Sequence, residues 1–140
     1  VERQRPVGWW VRRLDELLER GLDDVVAAEG LTRRHWQVLD SLAARPAPRA
    51  DLVAALASFA APEQVDAVLA DLAARGWLAG DGTTSLTAGG RAAHERVAEA
   101  VGRFRRRVAD GLTAEEYAQV VHGLARMVAN LEQAPAQPRR

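Results

Sequence analysis

Residues 62–87 read PEQVDAVLADLAARGWLAGDGTTSLT, and this stretch decides the architecture. Val65, Val68, Leu69 and Leu72 recur at i, i+3, i+4 and i+7, the spacing that puts apolar groups on one side of a helix. Pro62 suits the first turn, where the amide it lacks has no intrahelical acceptor. Gly76 stands just past Ala74 and Arg75, where a helix C-terminus favours a residue that tolerates positive φ. Beyond it, Trp77–Ala79 and Thr84–Leu86 can pair across Asp81-Gly82, a dipeptide that tight hairpin turns favour. Helix, glycine and small hairpin form the closing half of a winged helix-turn-helix.

Toward the N-terminus, Arg49 to Ala57 predicts a short helix with Leu52, Val53 and Leu56 inward, and Ser58 to Ala61 the turn into the Pro62 helix. Two helices joined by a tight turn complete the motif. Arg45-Pro46-Ala47-Pro48 reads as a break. Before it, Thr32 is an N-cap for a helix to about Ala44 that turns Trp36, Leu39 and Leu42 inward. Gly30 closes a first helix, from Trp9 to about Glu29, with the stripe Trp10, Leu14, Leu17, Leu18, Leu22 and Val25. Arg12, Glu16 and Arg20 predict an ion-pair ladder on its other side. Residues 1–8 read as a polar arm.

Downstream, Thr87 caps a long helix over 88–110, on which Gly90, His94, Val97, Val101, Phe104 and Val108 form a heptad-like seam. Gly89-Gly90 at its start reads as close backbone packing against the wing. Gly111 breaks this helix. Thr113 to Glu116 is a capping box for a last helix to about Leu131, with Tyr117, Val120, Val121, Leu124, Val128 and Leu131 on its apolar side. Residues 132–140 predict a disordered tail. The fold class is mainly α with a small β-hairpin wing. A single domain over 9–131 holds a winged-helix core at about 32–87 and dimerisation helices at 9–29, 88–110 and 113–131. The terminal stripes exceed what so small a core can cover, which predicts an obligate symmetric homodimer.

Composition narrows the function. With 48% apolar and 27% charged residues, the 140-residue chain reads as a globular protein rather than a disordered one. No apolar run approaches the roughly 20 residues of a membrane span, and VERQRPVGWW has no apolar signal core, so the expected location is the cytoplasm, away from membranes. The absence of cysteine excludes disulfides and thiolate metal sites. The histidines, 35, 94 and 122, show no i, i+4 pair, so no metal or other cofactor is expected. No nucleophile triad, phosphate-binding glycine loop or carboxylate pair stands out, so no catalytic residue and no enzyme activity is expected. Net charge is zero, which lends no general support to nucleic-acid binding.

The segments LTRRHWQVLDSLA, RADLVAAL, VDAVLADLAARGWL, SLTAGGR and LTAEEYAQVVHGLARMVANLE, in this order and spacing, resemble the MarR family of transcriptional regulators from about Trp9 to Leu131. The resemblance implies a homodimer that puts a recognition helix and a wing from each subunit on a pseudo-palindromic operator in double-stranded DNA. It also implies a repressor released by a small aromatic or phenolic effector. The chain departs from the family pattern in a short wing without a basic residue. It departs again in a recognition helix whose outward positions should be Glu63, Gln64, Asp66, Ala67, Ala70 and Asp71. From Pro62 to Gly76, three carboxylates stand against Arg75 alone, a net charge of −2. Carboxylates facing phosphates weaken binding. An alternative reading is therefore a winged-helix module that binds protein or small ligands and has weak or lost DNA binding.

On that exposed face Gln64 is the candidate base reader, since a carboxamide can bond adenine at two points; Ala67 lies beside it. Arg49, Arg45, Arg33 and Arg34 are candidates for phosphates, with Thr83 and Thr84 from the wing. Arg33 and Arg34 stand at a helix start, where the dipole disfavours cations and a partner, phosphate or carboxylate, is called for. Arg103, Arg105, Arg106 and Arg107 read as inter-helix ion pairs. Trp10, Trp36, His35 and Leu14 are candidates for an apolar effector cleft between the first two helices and the long one.

Overall fold

A computed structural model describes residues 4–133. The elements are α1 (Val7–Ala27), α2 (Arg33–Ala44), β1 (Ala47–Pro48), α3 (Arg49–Ala55), α4 (Pro62–Ala74), β2 (Leu78–Ala79), β3 (Thr83–Leu86), α5 (Ala88–Val108) and α6 (Ala114–Glu132). They fall into two compact units that divide after Phe104, inside α5. The expected arm is described from residue 4, and its last residues already belong to α1; residues 1–3 and, in the expected tail, 134–140 lie outside the described residues.

In the first unit the core is built by α2 (Trp36, Val38, Leu39, Leu42), α3 (Leu52), α4 (Val65, Val68, Leu72) and α5 (Val97, Val101), with Val26 from α1 and Leu86 from β3. Three of the four apolar residues that predicted α4 are buried, and Leu69 packs half-buried against them. Gly76 takes φ +81°, and the amides of Gly76 and Trp77 turn back to the carbonyls of Ala73 and Leu72 at 2.9 and 3.2 Å. This closes α4 as a left-handed glycine stop should. Thr87 then joins two elements: its Oγ1 donates to the Gly76 carbonyl (2.7 Å) and accepts from the Gly90 amide (3.1 Å).

The wing differs from expectation in three ways. Trp77 precedes the strand rather than starting it, and β2 begins at Leu78. Positive φ falls on Gly80 (+109°) and Gly82 (+77°), flanking Asp81, because a glycine takes that region without steric cost. The segment read as a break, 45–48, supplies β1, which pairs Ala47 with Thr84 and Pro48 with Thr83; β2 pairs Leu78 with Leu86 on the other side of β3. Pro48 is tolerated there because β1 is an edge strand.

Helix lengths also differ: α3 ends at Ala55, two residues before the expected end, and α5 at Val108. The ladder on α1 is replaced by a pair between Arg13 and Glu16. Along α1, Trp10, Val11, Leu14 and Leu17 are exposed, and only Val26 is buried. A Cβ on Gly21 would stand 2.3 Å from the Phe104 ring, so the glycine lets α1 and α5 approach closely.

In the second unit, α6 opens on the capping box read from the sequence: Thr113 accepts from the Glu116 amide (3.0 Å) while Glu116 accepts from the Thr113 amide (2.8 Å). None of its side chains is buried within the single chain, and Tyr117, Val120, Val121, Met127, Val128 and Leu131 are exposed.

Candidate nucleic-acid interface

The helix-turn-helix consists of α3 and α4. With Val65, Val68 and Leu72 turned into the core, Glu63, Ala67, Ala70 and Ala74 are left exposed on the opposite side of α4. The polar side chains on its flanks are bound to neighbours. Arg49, at the start of α3, forks onto Asp66 through Nε (2.5 Å) and Nη2 (2.8 Å). That guanidinium holds the Asp66 carboxyl below the ordinary carboxylate range. Both members are about half exposed, so the pair is worth little to stability. Gln64 folds back, its Oε1 accepting from the Ala61 amide (2.8 Å), and so caps its own helix.

On the other flank His35, Asp71 and Arg75 form one chain. His35 Nδ1 meets both the Thr32 amide (3.2 Å) and Oγ1 (2.7 Å), while Nε2 meets Asp71 at 2.8 Å. Because Nδ1 accepts from the Thr32 amide, the Nε2 proton is the one donated to Asp71. Arg75 adds a second donor to Asp71 (3.1 Å) and a bond to the Gly30 carbonyl (3.1 Å). His35, first, and Arg75 lower the Asp71 carboxyl below its ordinary range. The network ties α4 to the loop before α2.

Of the remaining candidates for phosphate, Arg33 is held by Glu19, by the Glu19 carbonyl (2.8 Å) and by Asp23 (2.8 Å), so the dipole penalty is met by carboxylates of α1. Arg34 donates to Gln37 (3.0 Å) and lies 5.7 Å from the exposed Phe59 ring. Arg45 is exposed and, among the described residues, without an ion-pair partner. Thr83 is exposed on the wing and Thr84 half-buried; a groove of about 270 Å³ lies between Thr84 and α4, lined by Leu69, Ala70, Ala73 and Leu78. Of the arginines late in α5, Arg103 pairs with Glu99 of its own helix rather than with another helix.

The effector candidates are less coherent. Trp36 is buried, stacked on His94 at 5.1 Å, and His94 in turn meets Asp40 (2.9 Å). His35 is committed to Asp71. Trp10 and Leu14 are exposed on α1, Trp10 edge-on to Trp9 and bonded to the Arg5 carbonyl (3.2 Å). Among the described residues, no hydrogen bond or ring contact joins Trp10 to Trp36. No group of three or more His, Asp or Glu among the described residues gathers to hold a metal ion, and no helix there is long and apolar enough to cross a membrane.

The exposed helix-turn-helix with its wing agrees with a match to the sequence profile of a helix-turn-helix family over residues 10–138. The chain belongs to that family. No curated protein matches it in sequence. Its fold is that of the MarR-family proteins. The Mycobacterium tuberculosis MarR family protein Rv2887, solved in complex with DNA, is 26% identical with a TM-score of 0.73; the match covers 93% of this chain and 100% of that one. The same protein with salicylic acid gives 24%, a TM-score of 0.65, and coverage of 91% and 99%. The reduced form of MarR from E. coli gives 23%, 0.69, and coverage of 88% and 93%.

The sequence reading took Glu63 only as an outward acidic position of α4 and not as a candidate site residue. As the one polar residue on a ridge otherwise of alanine, it was legible from helical spacing. That it alone on α4 keeps no hydrogen-bond partner among the described residues was not, because that depends on where Asp66, Gln64 and Asp71 find theirs; Glu63 acts on Arg49 only through space.

Proposed function

We propose that the protein is a DNA-binding transcriptional regulator, a homodimeric repressor of a pseudo-palindromic operator that a small aromatic or phenolic effector releases. It is a regulator and not an enzyme, and it works in the cytoplasm, where the DNA is. The observation that carries this is the exposed α4 ridge beside a wing, in a helix-turn-helix family member whose structural neighbour Rv2887 was solved both with DNA and with salicylic acid. The exposed apolar side chains of α1 and α6 support pairing of two copies, since each Leu or Val withdrawn from water stabilises by about 1.5–3 kcal/mol.

Arg45, Arg34, Thr83 and Thr84 are the phosphate-facing groups in this reading, with Ala67 against the bases. Arg33, Arg49 and Gln64 are already engaged, and their use on DNA requires exchange of an existing partner. In this reading the effector binds against α1, where Trp10 and Leu14 are exposed; Trp36 is buried in the core and stacked on His94. The reading as an interaction module with weak or lost DNA binding rests on the acidic face and the wing without a basic residue; it is not favoured, because Asp66 and Asp71, two of the three carboxylates of α4, are paired within the chain.

Selection of genomic fragments with purified protein, followed by a salt titration, tests the proposal. A pseudo-palindromic site, with a log–log slope of about −0.9 for each phosphate neutralised, is the expected result. Failure to enrich any fragment at low salt overturns it.

A further inference from the structure

We infer that Glu63 is the base-reading side chain of α4 and that it selects cytosine; the inference rests on the DNA-binding reading above. Glu63 sits in the first turn of α4, the end of a recognition helix whose residues meet base edges. Ala67, Ala70 and Ala74 follow it at i+4, i+7 and i+11 and are all exposed, so they share its ridge. That ridge is diametrically opposed to buried Val65, Val68 and Leu72 and is the part of the helix that faces furthest outward. With only methyl groups behind Glu63, α4 can lie deep in a major groove.

Every other polar side chain of α4 is committed within the chain: Gln64 to its own cap, Asp66 to Arg49, Asp71 to His35 and Arg75. Among the described residues Glu63 alone on this helix has no hydrogen-bond partner. Phosphates border the groove and base edges floor it, so a carboxylate on the central ridge meets bases. An ionised carboxylate only accepts, and the major-groove donors are the amines of cytosine and adenine. Adenine sets its N7 acceptor beside that amine, which repels the second carboxylate oxygen. Cytosine offers its amine with no acceptor of its own alongside. The Arg49–Asp66 fork on the flank meanwhile neutralises the next carboxylate along the helix.

The test is enrichment from a randomised duplex library by the full chain, Glu63→Gln and Glu63→Ala, with thermal melting as the folding control. The wild type is expected to prefer cytosine at one position of each half-site by roughly 5- to 100-fold. Glu63→Gln moves that position to adenine, Glu63→Ala flattens it, and neither changes the salt slope by a full phosphate. If both variants bind every duplex more tightly with an unchanged sequence preference, Glu63 merely repels phosphate and the inference fails while DNA binding stands. If the wild type binds no duplex at low salt, the DNA-binding reading fails and this inference with it.

Discussion

Adjacent glycines at the start of α5 should respond to alanine with opposite signs. A Cβ on Gly90 would lie 2.3 Å from the Trp77 carbonyl oxygen and 3.3 Å from Leu86 Cβ, whereas on Gly89 its nearest neighbour is Trp77 Cδ1 at 3.5 Å, an ordinary contact. Real Cβ contacts essentially never fall under 3.0 Å, so Gly90→Ala forces the wing-side backbone back by about 0.7 Å, and a carbonyl in the chain cannot rotate aside as a side chain can. Such overpacking costs about 1–3 kcal/mol, only partly offset by the helix preference of alanine over glycine, up to about 1 kcal/mol. Gly89→Ala keeps the preference and meets no clash, so it should stabilise by a few tenths to about 1 kcal/mol. Because both variants gain the same helix preference, they should differ by the overpacking cost of about 1–3 kcal/mol, a separation of about 0.5–1 M in urea midpoint for a slope of about 2–3 kcal/mol/M. Urea unfolding at one fixed protein concentration, which removes mass-action effects of dimerisation, measures it. Equal midpoints, or a higher one for Gly90→Ala, would refute the close approach of α5 to the wing. Gly90→Ala should also lose DNA affinity, since the wing moves with Trp77.

Asp66 is held below its ordinary value of 3.8 by Arg49, so the pair stabilises the fold above that pH and ceases to do so as pH falls through the lowered value. The advantage of wild type over Asp66→Asn should be constant above about pH 5 and vanish in strong acid; a urea midpoint advantage that grows on acidification contradicts the pairing. Thr113→Ala removes the oxygen that accepts from the Glu116 amide and should cost about 1 kcal/mol, read from thermal melting; an unchanged melting point would show that the capping box contributes nothing. Val121→Arg puts a charge on the exposed apolar side of α6 and should shift sedimentation to the monomer and abolish operator binding. A stable Val121→Arg dimer would move the interface elsewhere.

Much of the architecture was legible in the residues because its signals are local. The i, i+3, i+4, i+7 spacing of Val65 to Leu72, the glycine stop at Gly76, the Thr32 and Thr113 caps and the Gly89-Gly90 pair each act within a few residues, where steric and hydrogen-bond rules leave few choices. The candidate interface was only half legible. Helical spacing showed which residues of α4 face outward. It could not show that Arg49 reaches Asp66 seventeen positions away, or that Arg33 reaches Glu19 across fourteen. Long flexible side chains take whichever opposite charge the packing brings near, and the net of −2 on α4 accordingly overstated the charge left free.

The sequence alone sufficed for the winged helix-turn-helix, the caps at Thr32 and Thr113, the glycine stop at Gly76 and the two apolar stripes of the terminal helices, since periodicity and capping are written in neighbouring residues. Packing alone turned Ala47–Pro48, in the segment read as a break, into the outer strand of the wing, because a two-residue segment ending in proline carries no strand signal until β3 lies beside it. Packing alone also stacked Trp36 on His94, bound His35 to Asp71 and left Glu63 without a hydrogen-bond partner among the described residues, because each of those outcomes depends on which helix becomes the neighbour.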